Sequence, residues 1–193
     1  MLRINSWGVR ALGDIFFFAG DATLSRLIIK AETLLNPVTP AHLWVPSHAG
    51  IVGPGMVSVT EAWINLAPPE SSAAMVNPAA KYRGAMEAGL LQVWRPIGGA
   101  TEKYETIMRI VGRLGPHPYG ILALGGFEIE LIEELVLEHA TDNPVKHAMV
   151  CSMTVLEYLI WLGTEAWATA LAPKIQDYSP DLLLRALEAN AAI

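Results

Sequence analysis

The sequence predicts an α+β fold, and three observations predict it. Ser47-His48-Ala49-Gly50-Ile51-Val52 and Met56-Val57-Ser58-Val59-Thr60-Glu61-Ala62-Trp63 flank the turn signal Gly53-Pro54-Gly55, the pattern of an antiparallel hairpin. Leu24, Leu27, Ile28, Ala31, Leu34 and Leu35 recur at helical spacing between Ala22 and Asn36. A further apolar helical stretch follows Met149-Val150-Cys151-Ser152, which holds the only Cys of the chain.

The remaining elements follow in order. Gly13-Asp14 reads as a turn entering a buried strand, Ile15-Phe16-Phe17-Phe18. Asp21 is an N-cap for the Ala22–Asn36 helix, and Asn36-Pro37 ends it. Val38 to Pro46 is a packed loop. Pro68 to Pro78, rich in Pro, Ser and Ala, reads as a loop or flap, and Lys81 to Glu87 has no clear period. Leu90 to Arg95 is a strand stopped by Pro96. A helix from Thr101 to Leu114 turns Ile107, Ile110, Val111 and Leu114 inward and Glu102, Lys103 and Arg109 outward. Gly115 to Gly120 breaks it, and Ile121 to His139 is helical with a solvated acidic face. After a loop at Thr141–Lys146, the Cys151 helix carries Val155, Leu159 and Leu162 on one side and ends at Gly163. Ser179 caps a last helix with Pro180 at its first position.

A chain of 193 residues fits one domain, residues 1–193. With 52% hydrophobic residues and a mean hydropathy of +0.36, it demands a large core, an apolar groove or a partner surface. The net charge of -6 and the lack of any Lys/Arg run argue against nucleic-acid binding. A single Cys excludes an internal disulfide. Met1 to Gly20 reads as mature sequence rather than a signal peptide, and Glu157 and Glu165 interrupt the longest apolar stretch. The expectation is therefore no transmembrane segment and a cytoplasmic location by default.

The hairpin supplies a geometric argument. If Pro54 and Gly55 are its two turn residues, Gly53 pairs with Met56, and counting outward sets His48 directly opposite Glu61. Opposed residues have Cβ atoms about 4.5–5.5 Å apart, within reach of an imidazole–carboxylate hydrogen bond. A slip of one residue would separate the two across the sheet.

These residues suggest a nucleophilic site. A helix N-terminus favours a thiolate, a nearby His can take and return the proton, and a carboxylate behind the imidazole fixes its tautomer. The backbone N–H groups of Cys151 and Ser152 would face the oxyanion. On residue types alone a buried structural Cys is the simpler reading, because five His and one Cys often permit such a set. His147 and Cys151 lie four apart with Glu138 and His139 upstream, but paired ligand spacings are missing and no metal or cofactor is expected. No G-x-S-x-G, G-x-x-x-x-G-K or G-x-G-x-x-G occurs, so Ser47 and Ser152 read as local hydrogen-bonding residues.

The ordered set Gly13-Asp14-Ile15-Phe16, Leu24-Ser25-Arg26-Leu27-Ile28, Ser47 to Val52, Val59-Thr60-Glu61-Ala62, Tyr119-Gly120, Val150-Cys151-Ser152 and Tyr178-Ser179-Pro180-Asp181-Leu182-Leu183 resembles the circularly permuted NlpC-type papain-like enzymes, the YiiX-like group among them. Met153 and Gly120 stand where that family often has acidic residues. The resemblance spans roughly Gly13 to Leu184. It implies a permuted papain-like fold, with a small antiparallel sheet packed against helices that include the nucleophile helix. It further implies Cys151 as nucleophile, His48 as base and Glu61 as the orienting residue of a cysteine amidase or peptidase working through a thioester. The implied substrate is a peptide or acyl-amide, with peptidoglycan peptides as candidates. Lipid acyl hydrolysis or acyl transfer at the same site, and a non-catalytic module of the same fold, are the alternatives. A homo-oligomer or larger assembly, and a bacterial or phage origin, stay open.

Overall fold

The structure is a computed structural model that describes residues 1–20, 25, 26, 29, 44–63, 72–114, 151, 152, 154–156, 158, 159, 161, 162 and 179–191. It is a mixed α+β arrangement of helices on an antiparallel sheet. The strands are β1 (Leu2–Ile4), β2 (Ile15–Phe18), β3 (His48–Val52), β4 (Ser58–Trp63), β5 (Ser72–Pro78) and β6 (Leu91–Arg95). They form one six-stranded sheet in the order β1-β6-β2-β3-β4-β5, every neighbour antiparallel.

Strand β2 explains its own sequence. Ile15, Phe16 and Phe17 are all fully buried, because both faces of the sheet are covered. Successive side chains alternate between faces. Ile15 and Phe17, with Ala49, Ile51 and Trp94, pack against the helices. These supply Ile107 and Ile110 from the Ala100–Leu114 helix, Val155 and Leu159 from the helix carrying Cys151, and Leu183 and Leu187 from the Pro180–Ala191 helix. Phe16 turns the other way, with Val52, Val59 and Val93, under Ile4, Trp7 and Tyr82. Burying each such large apolar side chain contributes about 1.5–3 kcal/mol, so the continuous apolar run is the expected code for a doubly covered strand.

Several local expectations hold. Ser25, Arg26 and Ile29, the described residues of the Ala22–Asn36 stretch, are all helical. Ser179 accepts from the Leu182 backbone N–H at 3.3 Å, and Pro180 opens the helix behind it. The Gly115–Gly120 breaker, the Ile121–His139 helix, the Thr141–Lys146 loop and Gly163 lie outside the described residues.

Two local readings are corrected. The Pro68–Pro78 loop is in its described part a strand, β5, paired from Ser58↔Pro78 to Trp63↔Ser72. Pro has no N–H for a ladder, and here it sits at the last residue of a strand paired on one side. Lys103 faces inward, not outward. It is 6% exposed, and its ammonium donates to the Pro96 carbonyl at 2.8 Å while the stem packs.

The β3–β4 hairpin differs from the counted one in register. Gly50, not His48, lies opposite Glu61, followed by Ile51↔Thr60 and Val52↔Val59. The turn is longer than two residues: Gly53 N–H donates to Ser58 O at 2.9 Å around a 3-10 turn at Pro54–Met56. A Pro-Gly pair makes the wrong hand of turn for a tight hairpin, so the chain uses Met56 and Val57 as well. Gly55 (φ 68) and Met56 (φ 60) take left-handed backbone there. Arg10 holds the tip, donating to the Met56 carbonyl at 3.0 and 2.6 Å while its guanidinium lies 4.8 Å over the Trp7 ring. The slip is of two residues, so His48 and Glu61 still share a face.

Candidate active site

His48 is the first residue of β3, and Phe18, the last residue of β2, is its partner. Its ring leans toward Phe16, with centroids 6.2 Å apart. Glu61 sits diagonally across the hairpin, where the Cβ separation grows to roughly 7–8 Å or somewhat less, a gap long side chains close. They close it here: His48 Nε2 and Glu61 Oε2 are 2.7 Å apart. Gly50 lies between them opposite Glu61, and a Cβ there would come 2.5 Å from Phe16 Cζ and 3.0 Å from Glu61 Cβ. The absent side chain is what lets the Phe16 ring fill the floor beneath the pair.

Glu61 is fully buried, and an ionised carboxylate survives burial only when its lone pairs are used. Among the described residues, four side chains use them. Tyr82 Oη donates to Oε2 at 2.6 Å beside the imidazole. Asn77 Nδ2 donates to Oε1 at 2.9 Å, and Lys81 Nζ binds the same oxygen. Burial alone would raise the Glu61 carboxyl; the His48 hydrogen bond and charge, then Lys81, overcome it and hold the group at about 2. Tyr82 stays a donor, since burial and the adjacent Glu61 charge push its phenol well above the usual range. Its ring is held by Phe16, Phe18 and Trp7 at centroid distances of 4.6, 5.2 and 6.0 Å.

Because Glu61 is an acceptor only, His48 Nε2 must carry the proton in their bond. Nδ1 is then the nitrogen left for another partner. Cys151 provides one: it hydrogen-bonds the His48 side chain. Burial works to lower the His48 pKa, but the charge and hydrogen bond of Cys151, joined by those of Glu61, raise it to about 10. The Cys151 charge reaches Tyr82 too. Cys151 itself is buried at 1% exposed, in the helix whose Val155 and Leu159 seat on the sheet, while the His48 side chain keeps 17% of its surface open. Cys151, His48 and Glu61 therefore form one connected chain, thiol to imidazole to carboxylate.

Ser47 is a local hydrogen-bonding residue, accepting from Gly20 N–H at 3.2 Å and donating to Phe18 O. Ser152 is buried in the helix beside Cys151. His147, Glu138 and His139 lie outside the described residues, and among the described residues no group of three His, Cys, Asp or Glu side chains is placed to hold a metal ion. No helix of the described residues is long and apolar enough to cross a membrane. A surface cavity of about 350 Å³ between Arg3, Ile4, Trp44, Leu91 and Gln92 is separate from the chain of three: none of them lines it.

Asn77, Lys81 and Tyr82 are the site residues that sequence reading missed. The sequence carried no signal for them, because their stretch reads as a loop and a segment without period; the fully buried Glu61 carboxylate is what demands such donors. Comparison with known proteins finds no matching family model, no matching curated protein and no matching solved structure.

Proposed function

We propose that the protein is a cysteine hydrolase of the permuted papain-like type, cleaving an amide bond through a thioester, with Cys151 as nucleophile, His48 as base and acid, and Glu61 as the orienting carboxylate. The observation that carries this reading is the linked set: a thiol hydrogen-bonded to a His whose far nitrogen lies 2.7 Å from a buried carboxylate. The raised imidazole supports the role of His48, because it gives the ring the basicity to take the thiol proton.

In this mechanism the Cys151 thiolate attacks the carbonyl carbon, and the carbonyl oxygen takes the negative charge. The backbone N–H groups of Cys151 and Ser152 are the proposed donors to that oxyanion. The imidazolium gives its Nδ1 proton to the leaving nitrogen, the C–N bond breaks, and the free amine departs from an acyl-thioester. His48, now neutral, takes a proton from water. The hydroxide carbon–oxygen bond forms, the C–S bond breaks, and a carboxylic acid leaves with the thiolate and imidazolium restored. Glu61 keeps its negative charge throughout and stabilises each imidazolium state.

The ultraviolet thiolate band, read as wild type minus Cys151→Ala across pH, tests the resting state without requiring access to the buried sulfur. A thiolate present at pH 6 is expected, with His48→Ala moving its appearance toward the free-thiol value of about 8.5. A wild-type thiol that ionises near that value with no effect of His48→Ala would sink the reading. Turnover assays with peptide amides, peptidoglycan peptides among them, and with acyl lipids then separate the substrate classes. Hydrolysis of the amides, lost in Cys151→Ala, is the expected result.

A further inference from the structure

Three of the four side chains on Glu61 come from one short stretch, the end of β5 and the 3-10 turn after it: Asn77, Lys81 and Tyr82. They divide between the two carboxylate oxygens. Tyr82 shares Oε2 with His48, whereas Asn77 and Lys81 take Oε1, the oxygen remote from the imidazole. Lys81 is an exposed residue whose side chain keeps 29% of its surface open, yet its ammonium reaches inward. Its ammonium is paired with a carboxylate that has no exposed surface, and it lies 5.0 Å over the Tyr82 ring.

Resting on the cysteine-hydrolase reading, we propose that Lys81 is a positioning residue: by neutralising Oε1 it keeps Glu61 ionised and acceptor-only, and so fixes the proton on His48 Nε2 and leaves Nδ1 facing the Cys151 thiol. A buried carboxylate whose remote oxygen lost its cation would retain, among the described residues, only the neutral Asn77 amide there, and desolvation would favour taking up a proton. A protonated Glu61 no longer balances an imidazolium, and its O–H could donate to Nε2, which would move the imidazole proton to the nitrogen that must face sulfur. The groups acting on Glu61 among the described residues are His48 from β3, Asn77 from β5, and Lys81 and Tyr82 from the turn, with Cys151 acting on His48 and Tyr82 from the helix side.

The test is the acid limb of the thiolate band, the pH at which the thiolate seen near neutrality disappears on acidification. It is compared in wild type, Lys81→Met and Lys81→Arg. Lys81→Met is expected to move that limb upward by about one pH unit, equivalent to about a tenfold loss of thiolate at a pH on the limb. Lys81→Arg, which keeps the charge, restores the wild-type limb. Nitrogen NMR of His48 near neutral pH is expected to find both ring nitrogens protonated in wild type and a share of neutral imidazole in Lys81→Met. If Lys81→Met does not fold, Lys81→Gln, which keeps a neutral donor, takes its place with the same expected shift. A wild-type thiolate present at pH 6 with an unmoved acid limb in the folded neutral variant overturns the role of Lys81 and leaves the hydrolase reading standing. A wild type without that thiolate overturns the hydrolase reading itself.

Discussion

At the scale of single residues, the His48–Glu61 pair makes folding itself depend on pH. Glu61 is depressed from its ordinary 4.5 to about 2, so its contribution is complete above pH 4.5 and is lost as pH falls toward 2. His48 is raised from 6.5 to about 10, so its contribution is complete below pH 6.5 and is lost as pH rises through 10. From these two groups, stability should be flat between pH 4.5 and 6.5 and decline on either side. Urea unfolding at a series of pH values measures this. His48→Asn should flatten the alkaline decline and lower stability in the flat region, because it leaves a buried carboxylate short of one of its two cationic partners. The size of that loss should be of the order of 3–5 kcal/mol expected when one member of a buried pair is removed. An alkaline decline of undiminished slope in His48→Asn would assign it to other groups.

At the scale of elements, the hairpin is both what the sequence revealed and where it misled. Both strands were legible because β-branched and apolar residues alternate on either side of a Pro-Gly turn. Their facing was legible too, since only the parity of the pairing decides it. The register was not legible, because turn length depends on backbone hand, which Pro54-Gly55 constrains without specifying. Strand β5 was unreadable for a different reason: the Pro, Ser and Ala around it look like a loop, and its extension is imposed by pairing with β4. With β5 hidden, so were Asn77 and the turn carrying Lys81 and Tyr82. Lys103 shows the limit of helical periodicity, since a long stem can bury while its ammonium finds a carbonyl. Gly50 tests the hairpin's packing directly. Gly50→Ala places a methyl 2.5 Å from Phe16 Cζ and should cost about 1–3 kcal/mol in unfolding free energy through displacement of that ring. A change of a few tenths would mean that the Phe16 ring gives way freely.

At the scale of the whole molecule, β2 links two polar clusters. Its Phe18 end pairs with His48 at the candidate site. Before its Ile15 end, Asp14 is fully buried and accepts from Arg95 at 2.8 Å on each oxygen and from the Ala11 N–H at 2.7 Å. The adjacent Gly13 carbonyl accepts from Tyr158 Oη at 3.0 Å, which ties the Cys151 helix to the strand far from the thiol. Gly13 is obligatory there: its φ is +79°, and a Cβ would lie 2.1 Å from that hydroxyl. The distant cluster carries stability rather than chemistry. Arg95→Met should therefore lose about 3–5 kcal/mol in urea unfolding, by stranding the Asp14 carboxylate, while leaving the thiolate band of the folded protein where it is in wild type. A thiolate band that moves with Arg95→Met would show the two ends of β2 to be electrostatically coupled.

The four-residue hairpin tip has a consequence for how this chain can vary in length. Side-chain facing along a strand has period two, so a tip lengthened or shortened by an even number of residues returns His48 and the carboxylate position to the same side. A change that shifts the pairing by an odd number exchanges Glu61 for Thr60 on the buried polar face and sends the acid into the helix-packed core. Insertions and deletions at Pro54–Val57 that shift the pairing are thus sorted by parity, not by size: an even shift preserves the facing, and a shift of a single residue, the smallest of all, is the one that abolishes it.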